Sequence, residues 1–315
     1  MANFWQLLPK PFLVMAPMDD VTDFVFREII SQIAKPDVFF TEFTSADGLF
    51  SKGHDVVIRK LKFSENQRPV VAQIWGKDPK ILLKASELVR DLGFDGVDIN
   101  MGCPDKSIMR NGAGGGLIGN YNLVKELISA VKAGAGDMSV SVKTRLGYDC
   151  VITEDWIGFL LEQDIAAITV HGRTAKQMSK GDANWKEVGV AVKLKNKISP
   201  NTILVGNGDI GSYNNAKKMF DDFGVDGIMI GRGIFTNPWI FNKTTDVDLH
   251  NRDEYVGILL KHMRLHNKTW GNTKNFAIMK KFFKMYIKDF AGANQLRQDL
   301  MDCENSSQVE KLIAK

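Results

Sequence analysis

The sequence predicts an α/β fold, a (β/α)8 TIM barrel followed by a small all-α region, and three observations carry that reading. Short apolar runs recur eight times, each closed by Gly, Pro or a polar residue. Segments with helical periodicity lie between most of them, and strand alternating with helix is the pattern of a parallel barrel. Beyond about Thr244 the strand pattern stops and only helical patterns remain. The chain therefore divides into a barrel domain over residues 1–243 and a helical domain over 244–315.

The eight expected strands are Phe12 to Ala16, Asp37 to Thr41, Val70 to Ile74, Gly96 to Asn100, Ser139 to Lys143, Ala167 to Val170, Ile203 to Gly206 and Gly227 to Ile230. Pro79 opens a helix whose apolar stripe is Ile81, Leu82, Ala85, Leu88 and Val89; Tyr121 to Val131 is a second, and Glu154-Asp155 begin a third. Asp246 to Asp253, rich in Asp and Asn, reads as a linker. Helices are expected over Tyr255 to Asn267 and Asn275 to Phe290, broken at Gly271-Asn272. An open doubly wound sheet is the alternative fold, favoured by one match to G-x-G-x-x-G at Gly114 to Gly119. That match does not directly follow a strand and lacks the acidic residue about 20 positions on, so Asn111 to Gly116 reads instead as a tight loop.

Composition bounds the class. At 315 residues, with three widely spaced cysteines and no C-x-x-C pair, the chain has neither a disulfide framework nor a cysteine-rich zinc site. A cytoplasmic monomer is the expectation. No apolar run approaches the roughly 20 residues that span a bilayer, and Met1 to Lys10 lacks the apolar core of a signal peptide. The net charge of +4 is placed unevenly: residues 243 to 315 hold 13 Lys and Arg against 9 Asp and Glu. Lys261 to Lys288 contains eight of these cations, with His262 and His266 and no carboxylate. Trp270, Phe276, Phe282, Phe283 and Tyr286 interleave with them, as on a phosphate-binding surface, and Lys274, Lys281, Lys284 and Lys288 fall near one helical face.

The expected chemical centre is Gly96 to Pro104. Val97 and Ile99 alternate with Asp98 and Asn100 at strand period, Gly102 and Pro104 end the strand, and Cys103 lies just past its C-terminal end. That is the end of a barrel where sites are built. Other strands offer polar groups at the same face: Gln73, Asn100, Lys143 with Arg145, and His171 with Arg173. Strands seven and eight end in Asn207-Gly208-Asp209 and Gly231-Arg232-Gly233, glycine-rich loops suited to cradling a phosphate on backbone N–H groups.

Taken together, these motifs resemble the tRNA-dihydrouridine synthase family over roughly residues 12 to 300. The resemblance rests on Ala16-Pro17-Met18, Thr41-Glu42, Asn100-Met101-Gly102-Cys103-Pro104, Val142 to Arg145, His171-Gly172-Arg173-Thr174, Gly206 to Ile210 and Gly231-Arg232-Gly233. Asp19-Asp20 departs from it, since many members carry small or uncharged residues there. The family implies an FMN-dependent oxidoreductase that takes electrons from NADPH and reduces the C5=C6 bond of a uracil in tRNA. It implies FMN contacts from Ala16, Pro17, Met18, Gln73, Lys143, His171, Asn207, Gly208, Asp209, Gly231 and Arg232. Cys103 is then the candidate acid, a thiol being mostly protonated at neutral pH. Asn100 at its strand end, with Lys106, Arg110, Arg145 and Arg173 on loops of the same face, is expected to hold the nucleotide, and Lys281, Lys284 and Lys288 the tRNA backbone. A reductase of free pyrimidines or enones, and an RNA-binding module without chemistry, are the competing readings.

Overall fold

The structure is a computed structural model that describes residues 3–243 and 250–314. Nine parallel strands follow in chain order: β1 (Phe12–Met15), β2 (Val38–Phe40), β3 (Thr44–Ser45), β4 (Val70–Trp75), β5 (Gly96–Met101), β6 (Ser139–Arg145), β7 (Ala167–His171), β8 (Ile203–Asn207) and β9 (Gly227–Ile230). The sheet order is β2-β1-β9-β8-β7-β6-β5-β4-β3, and a further β2–β4 pairing closes it into a barrel. Eight of these strands are the expected runs. The ninth, β3, is a two-residue extension that pairs Thr44 with Ile74 and Ser45 with Trp75.

Side chains alternate across each strand, so every second residue points into the barrel. Phe12, Val14, Val38, Phe40, Val71, Ala167, Ile203, Val205 and Met229 form one buried cluster. Trp5, on the 3-10 turn Phe4–Leu7, closes the N-terminal end of that cluster and lies 5.9 Å from the Phe12 ring and 6.2 Å from the Phe40 ring. Toward the C-terminal end the interior turns polar, with Gln73, Asp98, Asn100, Ser141, Thr169 and Asn207 all buried. The intervening residues, such as Leu13, Met15, Ile74, Ile99, Val142 and Ile168, pack outward against the helices.

The expected helices form. Pro79 begins Pro79–Asp91, where Asp78 accepts from the backbone of Lys80 at 2.8 Å. Tyr121–Ala135 and Thr153–Leu161 match the second and third expected helices to within a turn.

The C-terminal pattern is corrected in two places. The first helix is longer than expected, Arg252–Trp270, opened by a capping box between Asn251 and Glu254. The second is only Lys280–Tyr286, preceded by a 3-10 turn at Phe276–Met279. It stops at Ile287, whose backbone leaves the helical region, and Asp289 then takes a φ of 59°. Lys274 and Lys288 therefore do not share its face. Ala293–Met301 and Ser306–Ile313 complete the chain. Residue 244 at the expected boundary and the first half of the expected linker, 246–249, lie outside the described residues; the linker's last two residues, Arg252 and Asp253, already belong to the first of these helices.

These helices share a core with the barrel's first helix, Phe24–Ile33. Phe26 stacks on Phe282 at 5.0 Å, Trp270 Nε1 donates to Asp23 Oδ2 at 2.9 Å, and Lys274 Nζ pairs with the same oxygen at 2.9 Å. Among the described residues no helix is long and apolar enough to cross a membrane.

Candidate active site

A chain of hydrogen bonds fixes the loop that carries Cys103. Asp98 is fully buried inside the barrel and accepts from Ser141 Oγ at 2.6 Å and Gln73 Nε2 at 2.8 Å. Burial pushes its carboxyl up to about 6. With its amide nitrogen spent on Asp98, Gln73 presents Oε1 to Asn100 Nδ2 at 2.9 Å. Asn100 Oδ1 then faces the loop and accepts from the backbone of Gly102 at 3.1 Å and Cys103 at 2.9 Å. Three strands thus set the position of one cysteine.

The glycines after it clamp the same loop. Gly115 N donates to Cys103 O at 2.9 Å, and a Cβ on Gly114 would stand 3.1 Å from Cys103 Cβ and 2.9 Å from Ile108. Gly114 also holds a φ of 56°. The G-x-G-x-x-G match is therefore a packing surface against Cys103, consistent with the tight-loop reading. The thiol is half-buried, and burial, with the Asp105 carboxylate, raises its pKa; the Asp105 backbone N–H and the charges of Arg145 and Lys143 act the other way. It is a protonated thiol at neutral pH, with groups nearby that would support the thiolate left after proton loss.

Beside it, a cavity of about 510 Å³ opens at the C-terminal mouth of the barrel. Lys143 reaches it from β6, with Nζ 3.2 Å from Asn207 Oδ1, while Asn207 Nδ2 donates to Met229 O at 2.8 Å. Burial, and then Arg145, bring the Lys143 ammonium down to about 8. His171 is held neutral by burial and by the surrounding cations. Its Nε2 lies 3.2 Å from Arg173 Nη1; a guanidinium can only donate, so Nε2 accepts and Nδ1 carries the proton.

The far wall is made by the loops after β8 and β9. Gly208 holds a φ of 135°, and a Cβ on Gly233 would sit 2.1 Å from Ile210 O, so the two loops touch where only glycine fits. Arg232 extends from this wall, its side chain 63% exposed, 3.4 Å from Asp209 Oδ1.

The sequence model of a family described as "Dihydrouridine synthase" matches residues 14–315. The chain belongs to the dihydrouridine synthase family. It is 44% identical to the "Probable tRNA-dihydrouridine synthase 2" of Bacillus subtilis (strain 168) over 314 residues, covering 99% of this chain and 95% of that one. It is 42% identical to the "Probable tRNA-dihydrouridine synthase" of Staphylococcus epidermidis with the same coverage. Among solved structures, an old yellow enzyme homologue from Zymomonas mobilis superposes with a TM-score of 0.51 at 16% identity, over 76% of this chain and 93% of that one. A 2-naphthoyl-CoA reductase does so with a TM-score of 0.56 at 10% identity, over 74% and 49%. These two share the barrel fold.

In this dihydrouridine synthase chain, Ala16, Pro17, Met18, Lys143, His171, Asn207, Gly208, Asp209, Gly231 and Arg232 all border the one cavity. Gln73 and Asn100 stand behind it, in the chain of bonds leading to Cys103. Lys106 and Arg110 are exposed on the short helix Lys106–Arg110, which follows Cys103.

Three expectations are corrected. Arg145 and Arg173 are not free loop cations. Arg145 is buried, with bonds to the carbonyls of Gly102, Thr174 and Met178 at 2.7, 3.0 and 2.8 Å, so it ties the loops after β5 and β7 together. Arg173 is 2% exposed and bonds Asp209 and Gly181 O, both at 2.5 Å. Asp209 correspondingly directs its carboxylate to Arg173 and to the Ala183 N–H at 2.8 Å, which leaves its backbone for a ligand. The aromatic and histidine residues of the basic stretch are core: Trp270, Phe282, Phe283, Tyr286, His262 and His266 are buried. Lys281, Lys284 and Lys288 do line a separate groove of about 910 Å³, with Arg297, and Thr236 borders both hollows. That groove is the larger one, but the reactive groups converge on the smaller.

Asp98 enters the sequence reading only as a polar position of the fourth expected strand, and neither it nor Ser141 is given a role there. The available signal was a polar residue at an inward strand position, which a polar barrel interior explains.

Proposed function

We propose that the protein is a tRNA-dihydrouridine synthase in which FMN occupies the 510 Å³ cavity and Cys103 is the proton donor. The cavity's donor set suits a flavin: a cation at Lys143, a neutral N–H at His171, an amide at Asn207, and glycine loops whose close approach a Cβ would block. When bound, FMN supplies the hydride equivalent that reduces the C5=C6 bond of uracil.

The chain's own residues have separable tasks. Lys143 would support negative charge on the cofactor's ring, and Arg232 with the loops after β8 and β9 would hold its phosphate. Cys103 gives its proton to C5, and as the thiolate forms, Arg145, Lys143 and the Asp105 N–H stabilise it. Asn100 orients the Cys103 backbone; Lys106 and Arg110 meet the flipped nucleotide. Lys281, Lys284 and Lys288 attract the tRNA backbone, so the barrel carries the chemistry and the helices the substrate. We take the protein to act as a cytoplasmic monomer with NADPH as donor; its three cysteines are all free thiols.

The observation that carries this reading is a thiol kept protonated on a loop fixed by three strands beside a flavin-sized cavity. Incubation with FMN, NADPH and an unmodified tRNA transcript tests it, with dihydrouridine counted by mass spectrometry of the digested RNA. Reduction of free uridine as fast as of tRNA would contradict the substrate assignment.

A further inference from the structure

A third hollow, of about 330 Å³, opens on the same face of the barrel, and neither Cys103 nor any residue of the 510 Å³ cavity lines it. It adjoins both. Asp19 on its rim follows Met18, which borders the cofactor cavity, and Asp105 lies two residues beyond Cys103. Its aromatic walls are Phe43 and Trp75, both half-buried, with Val57 and Ile108 adding apolar surface. The strand that sequence patterning did not reveal builds this wall: β3 begins directly after Phe43 and pairs Ser45 with Trp75.

The rim decides what chemistry fits. Its one cation, Lys60, is paired with Asp19 and stands 5.8 Å from the Phe43 ring centre. Asp105 uses Oδ1 for the Ser107 N–H at 2.8 Å, the Ser107 hydroxyl at 2.5 Å and the Ile108 N–H at 3.2 Å, while Oδ2 has no donor among the described residues. Two carboxylates against one lysine leave the rim net negative, which disfavours a phosphate. A flat, uncharged ring carrying N–H donors is complementary to it.

We propose that this hollow is a nucleobase subsite that stacks the tRNA base adjacent to the reduced uridine on Phe43 or Trp75, its carboxylates accepting from an exocyclic amine. The proposal rests on the tRNA reading above. Flipping a uridine out of its stack deprives its neighbour of a stacking partner, and an aromatic side chain restores one. Adenine, cytosine and guanine carry the amine, and uracil does not, so the subsite also selects. Asp19, on the rim of the hollow, then acts as a specificity determinant.

The test uses transcripts of a tRNA that the wild-type protein reduces, with each neighbour of the reduced uridine replaced in turn by all four bases. Trp75→Ala and Phe43→Ala are compared with wild type, with Trp75→Phe as the conservative control and FMN content as the check on folding. At least one of the two alanine variants retains FMN and raises the KM for tRNA by roughly 5- to 150-fold, the range of one aromatic stack. Trp75→Phe stays near wild type, RNA-independent NADPH oxidation is unchanged, and Asp19→Asn removes the preference for an amine-bearing neighbour. Wild-type KM in both alanine variants, or loss of FMN from both, would overturn the subsite. So would slowed NADPH oxidation without RNA, which would assign the hollow to the dinucleotide's adenine. A wild-type protein that reduces no transcript would remove the tRNA reading and this proposal with it.

Discussion

Replacing Gly233 with alanine tests whether contact between the loops after β8 and β9 sets the phosphate end of the cofactor site. The added Cβ would stand 2.1 Å from Ile210 O and 3.0 Å from Ile240 Cδ1. Ile240 is a flexible side chain tip and can yield, but Ile210 O is backbone. An ordinary carbon–oxygen contact is about 3.3 Å, so the two loops must part by roughly 1.2 Å. A backbone N–H displaced that far from a phosphate oxygen no longer makes a charge-assisted bond, which contributes about 1.5–3 kcal/mol. FMN affinity should therefore fall about 10- to 150-fold. The assay is titration of FMN into cofactor-free protein, followed by quenching of flavin fluorescence, with thermal unfolding of the same sample. Wild-type affinity together with a lowered unfolding midpoint would refute the reasoning, because the overlap would then have been relieved somewhere other than the cradle.

Changing Lys281, Lys284 and Lys288 together to Glu should raise the KM for tRNA and flatten its salt dependence, by up to about 0.9 in log–log slope for each phosphate no longer neutralised, with FMN content unchanged. Binding titrations at several salt concentrations read this, and an unchanged slope would make those lysines ordinary surface charges. Acid should destabilise the protein through His262. This ring is fully buried between Phe282, Phe26 and the Tyr286 hydroxyl, with His266 and Asp23 as its nearby titratable groups, and burial brings it from 6.5 down to about 3. A histidine with a depressed folded-state pKa binds its proton more tightly when unfolded, so stability is full above about pH 6.5. It is lost on acidification at roughly 1.4 kcal/mol per pH unit until about pH 3. Denaturant titrations from pH 7 to 4 should show that slope in wild type and a shallower one in His262→Gln; equal slopes would contradict it.

The barrel was legible because its strands are short apolar runs with turn residues at each end, and because inward residues such as Gln73, Asn100 and Lys143 interrupt them at period two. Cys103 and the two glycine loops were legible for the same reason, lying directly past strand ends. What could not be read was where long side chains finish. Arg145 and Arg173 occupy the expected positions, yet each turns inward to satisfy carbonyls of loops that are distant in sequence. The basic C-terminal stretch misled in a related way. Its cations and aromatics interleave in sequence, but they separate in space, the aromatics packing on Phe26 and the first barrel helix. Strand β3 escaped because two residues carry no periodicity, and its register comes only from its partner β4.

The central claim is that Cys103 supplies the proton to uracil C5 while the rest of the site handles the cofactor. Single-turnover reaction of FMN-loaded, NADPH-reduced Cys103→Ala with unmodified tRNA transcript tests it most directly. The variant should bind FMN and oxidise NADPH as wild type does, while dihydrouridine forms at least about 10²-fold more slowly. Dihydrouridine formation at the wild-type rate would remove Cys103 from the mechanism.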